Sequence, residues 1–386
     1  MTGTAIVVGG GIGGLAVATA LAQRGVAVTL VEQAAEIAEV GAGLQISPNG
    51  LAVLRALGVE ASLDQAGAVQ AQEVILENHL GGRQVARLDL TRLSGQRYLF
   101  VHRADLVACL LAAAQRAGVI IELGRRVVAH NPGAMSEVHF GDGGQLQAPL
   151  VVCADGLHSV GRAAFHGSSE PFFTGQVAWR ATVPASGLPS APQATVTMGP
   201  GRHIVRYPLR AGELINIVAV QERQTWAAEG WDHTDDPQNL LDAFRDFSGP
   251  VKDVLSRVET VNLWGLFRHP VAQTWHKEGT ILLGDAAHPT LPFLAQGANM
   301  ALEDAWVLAE VATQDADLAR YQARRKPRVE KVIAAATGNA WKYHLRPGPF
   351  RWAAHRALTL GSTIAPGLMM SQFDWLYGYD VTGTSE

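Results

Sequence analysis

Cysteine is almost missing: 386 residues contain two, Cys109 and Cys153, each inside an apolar run. Two isolated thiols make neither a disulfide framework nor a metal centre, and both read as small core residues. Charge is scarce too. Asp, Glu, Lys and Arg supply 17 % of the chain and the net charge is −4, so no basic surface for nucleic acid or an anionic membrane is expected. No stretch approaches about eighteen uninterrupted apolar residues, which excludes a transmembrane helix. No basic signal-like segment precedes the first apolar run, and the expected location is the cytoplasm. Internal repeats and low-complexity tracts are also lacking. What is plentiful is apolar residues, at 48 %, and glycine, at 41 positions. That is material for two or three domains, or for one α/β domain carrying a large insertion.

Residues 5–33 organise the rest. Residues 5–8 (AIVV) form an apolar, β-branched run suited to a buried parallel strand. Gly9, Gly11 and Gly14 then satisfy G-x-G-x-x-G. In that pattern the first glycine makes a tight turn, the second admits a pyrophosphate against the backbone, and the third lets helix and strand pack closely. Leu15, Ala18, Leu21 and Ala22 recur at helical spacing, Gly25 ends the helix, and residues 26–31 rebuild a strand. Glu32 follows, placed to accept hydrogen bonds from an adenosine ribose with a free 2′-hydroxyl. FAD or NAD therefore fits better than NADP.

Further along, residues 74–90 read as a hairpin turning at Gly81-Gly82, and residues 127–139 as strands before a second turn at Gly141 to Gly144. A helix is expected from His102-Arg103 to about Gly118. Beyond Arg162 short strands crowd together at residues 177–183, 194–198, 204–207 and 214–220. Thr195 and Thr197 alternate there with apolar residues, which predicts a sheet whose two faces differ. Two helices follow, then a buried strand ending at Asp285, long helices over 299–311 and 317–337, and a tail of one or two helices. The basic run Arg324-Arg325-Lys326 reads as a solvated helix end.

Three separated motifs ask for one explanation: the glycine fingerprint, Asp155-Gly156-x-x-Ser159-x-x-Arg162, and Gly284-Asp285 with Ala295-Gln296-Gly297 behind it. Together they resemble the class A flavin-dependent aromatic hydroxylases over nearly the whole chain. The Ala-Gln-Gly pattern and the closing Leu376-Tyr377-Gly378-Tyr379 point within it to the salicylate, 3-hydroxybenzoate and 6-hydroxynicotinate hydroxylase group. Gln45 stands where the 6-hydroxynicotinate enzyme has histidine, a departure from that pattern.

The resemblance implies an α/β, Rossmann-like FAD-binding fold of the para-hydroxybenzoate hydroxylase type, with an inserted substrate-binding β-sheet and C-terminal helices. Its expected parts are 1–170 and 273–340 for FAD, 171–272 for substrate and 341–386 for the tail. One FAD is implied, with NADH or NADPH as a transient reductant, because no second glycine fingerprint exists. The adenosine end of FAD would meet Gly9, Gly11, Ile12, Gly13, Gly14, Glu32, Gln33 and Val127. Arg103, in a His-Arg-x-Asp-Leu segment, would hold the phosphates. Asp155 and Asp285 would reach the middle of the cofactor. Gln45 and the turn Gly297, Ala298 and Asn299 would meet the flavin, the helix start aiming free N–H groups at its pyrimidine edge.

Oxygen would reach an activated aromatic carbon through a flavin C4a-hydroperoxide. His203 and Tyr207 lie four apart in a strand and share a face. Relatives use a matching pair on the substrate hydroxyl, so His203 is the expected base, Tyr207 orients the same oxygen, and Gln296 completes the catalytic set. His288 is expected to be architectural, and His158-Ser159 lacks the spacing of a triad. The expected partners are a small aromatic substrate and O2, in a monomer or homodimer. Two other classes remain open: an FAD-dependent oxidase or dehydrogenase of a small molecule, and a non-enzymatic flavin-binding protein. The former has no reason to carry the central Asp-Gly motif.

Overall fold

The computed structural model describes residues 3–37, 42–93, 96–224, 234–314 and 317–383, with the backbone alone for 339–341. Gly41 and the Trp341 side chain, at the ends of two expected segments, lie outside the described residues. A six-stranded sheet carries the fingerprint. Its order is His276–Lys277, Thr280–Leu282, Leu150–Cys153, Thr4–Val8, Ala27–Val31 and Ile120–Glu122. All neighbours are parallel except the first pair. A strand buried on both faces needs apolar residues in succession, and Ile6, Val7, Val151 and Val152 supply them. Helices Ile12–Ala22, Arg103–Arg116 and Gly297–Gln314 cover this sheet and share its core.

The second sheet has eight strands: Thr234–Asp235, Val261–Arg268, Phe172–Pro184, Leu214–Glu222, Arg202–Leu209, Gln193–Gly199, Glu73–Asn78 and Gln84–Asp89. The hairpin of residues 73–89 thus joins a sheet built mostly from residues 172–268. It enters by parallel pairing of Glu73–Asn78 on Gln193–Gly199. Helices Pro237–Ala243 and Pro250–Leu255 pack on one face around Trp179, Ile217, Phe244 and Phe247.

The two-faced sheet expected at Thr195 and Thr197 is found: Val196 and Met198 pack in an apolar cluster with Leu76 and Ala86, and the threonines take the other face. Both threonines are buried, and the Thr197 hydroxyl donates to Glu77 at 2.5 Å. On that face Arg206 pairs with Glu77 at 3.2 Å, and the Gln193 amide donates to the Thr195 hydroxyl at 3.3 Å. The tail makes three helices rather than one or two: Pro349–Ile364, Pro366–Ser371 and Asp374–Tyr377. Among the described residues no helix is long and apolar enough to cross a membrane.

The basic run at 324–326 is also corrected. Arg325 is fully buried, 2.6 Å from Glu303 and 2.7 Å from Asp304. Helix Leu318–Tyr343 turns this arginine inward because Gly297–Gln314 presents two acids that need a cation.

Candidate active site

The glycine turn shows why each position needs its residue. Gly9 has φ of +105°, and a Cβ there would lie 2.5 Å from the Ala154 carbonyl oxygen. At Gly14 a Cβ would meet the Gly9 carbonyl oxygen at 1.9 Å, so helix and strand touch only through glycine. At Gly11, by contrast, no protein atom lies within 4 Å of an added Cβ. Gly11 is therefore free of packing demands, as expected where the backbone must admit a ligand.

This separates two substitutions. Gly14→Ala should prevent proper folding, whereas Gly11→Ala should keep the far-ultraviolet spectrum and melting point of the FAD-stripped protein while weakening FAD retention on gel filtration. Loss of folded protein in Gly11→Ala would contradict the assignment.

Ile12 and Gly13 lie in the first turn of the following helix. Glu32 accepts from the Gly10 N–H at 2.6 Å and from the Ala34 N–H at 2.8 Å. Each carboxylate oxygen keeps a second lone pair for a ribose. Gln33 beside it is exposed, and the strand Val127–Asn131 starts two residues after Arg125, whose N–H donates to the Glu32 carbonyl.

Arg103 opens its helix, where the positive end of the dipole disfavours a cation. A second guanidinium, Arg180, stands within electrostatic range of it. Burial and the Arg103 charge pull Arg180 down to about 10. Arg180 lies over the Trp264 ring at 4.4 Å, and its Nε has no hydrogen-bond partner. Asp285 shares this region: its side chain is exposed, and its position deep in the body raises its carboxyl while His288 and Arg103 oppose that. Arg103 thus stands within electrostatic range of both Arg180 and Asp285.

The central Asp-Gly motif supports this region. Ser159 caps the helix Val160–His166 by accepting from the Arg162 N–H at 2.9 Å. Arg162 in turn clamps the carbonyls of Ala286 and Ala287 at 3.2 Å and of Pro270 at 2.7 Å, fixing the Asp285 turn. Asp155 accepts from the Val160 N–H at 2.8 Å through one oxygen, while its other oxygen is buried without a partner. That orphaned acceptor suits a ribityl or ribose hydroxyl.

Beneath the turn at Gly297 lies a buried polar network that the sequence did not disclose. Asn49 donates to Glu303 at 2.6 Å and to Gln296 at 3.1 Å, and the Gln296 amide donates to Ser47 at 3.0 Å. The Gln296 side chain is therefore taken up by protein groups and positions the turn; it does not present itself to a substrate. Asn299 is likewise committed, accepting from the Ser47 N–H at 3.1 Å and donating to the Gln45 carbonyl at 3.0 Å. What the turn offers is its backbone at Gly297 and Ala298, both partly exposed. His288 bonds Asp304 at 2.5 Å, which makes it a framework residue. His288 and Arg325 together hold the Asp304 carboxyl below its usual range against the opposing effect of burial.

His203 and Tyr207 do face one side of the sheet, with Val205 between them. His203 packs against the rings of Phe293 and Tyr343, at 5.9 and 5.3 Å, and burial holds its imidazole well below the usual value. Its Nδ1 lies 2.7 Å from His344 Nε2. Tyr207 keeps other company. Its ring lies 4.9 Å from Phe100, and a Cβ on Gly43 would sit 2.8 Å from its hydroxyl. Strand rise separates the two backbones by about 13 Å, so they address different ends of the face, not one oxygen.

Sequence reasoning also missed Tyr98 and Tyr377, whose rings meet at 5.8 Å; the Tyr98 hydroxyl donates to Gln45 at 2.8 Å. The closing Leu-Tyr-Gly-Tyr motif hinted at Tyr377 alone. A separate groove of about 560 Å³, lined by Glu73, Glu77, Arg87 and Arg206 among others, opens on the opposite face and contains none of the expected site residues.

Comparison with known proteins agrees with this geometry. Residues 2–336 match the family model described as an FAD binding domain. A 3-amino-4-hydroxybenzoate 2-monooxygenase of Streptomyces cremeus is 36 % identical, the match covering 96 % of this chain and 94 % of the relative. A 3-hydroxybenzoate 6-hydroxylase of Polaromonas naphthalenivorans is 33 % identical, covering 97 % and 96 %. The crystal structure of Klebsiella pneumoniae HpxO complexed with FAD and uric acid superposes with a TM-score of 0.84 at 26 % identity, covering 96 % of this chain and 97 % of that one. A glycine fingerprint whose middle residue carries no packing demand and matches over nearly the whole length converge: the chain belongs to the FAD-binding-domain family of class A flavin-dependent aromatic hydroxylases.

Proposed function

We propose that the protein hydroxylates a phenolic or hydroxylated heteroaromatic carboxylate, consuming O2 and NADH or NADPH in the cytoplasm. The observation that carries this reading is His203. It is a buried, neutral imidazole beside Phe293 and Tyr343, and among the described residues its Nε2 has no hydrogen-bond partner. The names of the relatives, a hydroxybenzoate 6-hydroxylase and an aminohydroxybenzoate monooxygenase, supply the substrate class.

The bound FAD would supply hydride acceptance from the nicotinamide and transfer of one oxygen atom from O2. The protein's part is to hold, orient and deprotonate. The glycine turn, Glu32, Gln33 and Val127 would seat the adenosine end, Arg103 with Arg180 the diphosphate, and Asp155 with Asp285 the linking chain. Gln45, Gly297, Ala298 and Asn299 would border the ring. His203 takes the phenolic proton, since the neutral form that burial enforces is the form that can accept one. Tyr207 serves the far end of the bound ring, and Gln296 acts through the turn it positions. The substrate wall comprises residues 171–272 together with the hairpin of residues 73–89; residues 1–170 and 273–340 otherwise form the FAD part, and 341–386 close over both.

Arg103→Ala should release FAD on dilution and gel filtration; full FAD content at unchanged affinity would remove Arg103 from the phosphate site. The reading as a whole is tested with a panel of hydroxylated benzoates and pyridine carboxylates. At least one should accelerate NADH oxidation and leave a hydroxylated product. NADH oxidation that no aromatic acid stimulates would favour an oxidase or dehydrogenase instead.

A further inference from the structure

The strand Leu214–Glu222 ends in an acid whose side chain is half in solvent, at 50 % exposure. Glu222 Oε1 lies 2.8 Å from His344 Nδ1, and His344 Nε2 lies 2.7 Å from His203 Nδ1. His344 is buried at 6 % exposure and His203 at 3 %. The helix Leu318–Tyr343 delivers His344 to this place, and the Gly201 N–H fastens it by donating to the His344 carbonyl at 3.1 Å. A row of three groups thus runs from the buried His203 to the surface.

The carboxylate fixes the hydrogens along this row. An ionised carboxylate only accepts, so His344 donates from Nδ1 and keeps a lone pair on Nε2. His203 must then donate from Nδ1, which leaves the lone pair of its Nε2 as the basic site at the pocket. The tautomer that general-base chemistry needs follows from a glutamate at the surface. A proton taken up by His203 cannot remain there cheaply, because a buried imidazolium loses its hydration. The only other ionisable ring packed on His203 in the described structure is Tyr343, which is a donor.

We propose that His203, His344 and Glu222 form a proton relay that carries the substrate's phenolic proton from the pocket to solvent. The inference rests on the hydroxylase reading above. The phenolic O–H bond breaks as His203 Nε2–H forms. His203 Nδ1–H breaks as His344 Nε2–H forms. His344 Nδ1–H breaks and its proton passes to the Glu222 carboxylate and on to water. Nothing is oxidised or reduced in these steps. One proton returning by the reverse hops re-protonates the product oxygen and restores the starting tautomers. In this scheme His344 and Glu222 touch no substrate; they are positioning and relay residues acting through His203.

The test is proton release on binding, without turnover. Holoenzyme in weak buffer with a pH indicator dye is mixed by stopped flow with 3-hydroxybenzoate or 3-amino-4-hydroxybenzoate, while flavin fluorescence reports binding separately. The native protein should release close to one proton per bound ligand. Glu222→Gln keeps the hydrogen bond to His344 but cannot take the proton, and should slow release about 10-fold or more with unchanged ligand affinity. His344→Ala should do the same, with release restored by added imidazole. Glu222→Gln is a solvent-exposed, near-isosteric change, so it remains informative if the histidine variant folds poorly. Release at the native rate in Glu222→Gln, or binding without any release in the native protein, would overturn the relay while leaving the hydroxylase reading intact. A holoenzyme that binds neither acid would overturn both.

Discussion

Replacing His203 with alanine is expected to lower the rate of hydroxylation by about 10²- to 10⁴-fold, the usual worth of a positioned general base. An aromatic ring yields to an electrophilic oxygen far more readily as a phenolate than as a phenol. The protein must therefore remove a proton in a place it has also dried. In the proposed reading that base is His203, a neutral imidazole with Nδ1 2.7 Å from His344 Nε2 and burial keeping it uncharged. FAD content should be unchanged, because the fingerprint turn, Arg103 and Asp285 belong to other elements. Substrate-stimulated NADH oxidation should remain measurable while peroxide rises and hydroxylated product per NADH falls. Unchanged coupling in this variant would take His203 out of the chemistry.

The largest effect on stability is expected from Arg325→Met. Its guanidinium lies between Glu303 and Asp304, and all three are fully buried. Burial opposes the arginine's charge, yet the two carboxylates outweigh it and hold the group above its ordinary value. Removing the cation leaves Glu303 with Arg328 at 3.0 Å and Asp304 with His288 at 2.5 Å, and the acids are then under-compensated in a dry core. Breaking such a group typically costs about 3–5 kcal/mol, read as a shift of the urea unfolding curve of the holoprotein. Glu303 braces Asn49 and, through it, Gln296, so FAD affinity should fall as well. A loss below about 1 kcal/mol, the level of an exposed pair, would contradict the burial described here.

Local pattern carried the cofactor half of the fold. A β-branched run, three glycines with fixed spacing and a helical repeat are constraints between near neighbours, and the strand Thr4–Val8 and helix Ile12–Ala22 formed where they demanded. The hairpin at Gly81-Gly82 was equally legible, but its partner was not. Alternation says where a hairpin turns, and nothing in it names the strand Gln193–Gly199 that its edge will meet.

Arg325 illustrates a second limit. A basic cluster on a helix usually faces water, and only the acidic pair Glu303-Asp304 inside an apolar helix hinted otherwise. The same holds for the polar side chains at the site. Gln296 matched a motif by position, yet what its amide bonds to is settled by Ser47 and Asn49, some 250 residues earlier in the chain (separations of 249 and 247). His344 and Glu222 stand 122 positions apart and carry no shared motif. Their relation exists only once the helix end has docked on the sheet.

In the proposed reading, one atom of O2 enters an aromatic ring held against the His203 face. The most direct measurement supplies the purified yellow protein with NADH, a hydroxybenzoate that stimulates its oxidation, and heavy-isotope O2, and then weighs the product by mass spectrometry. The account predicts one heavy oxygen atom per product molecule, carried as a new ring hydroxyl. A product with no heavy oxygen, formed with stoichiometric peroxide, would contradict it and assign the chain to oxidase chemistry.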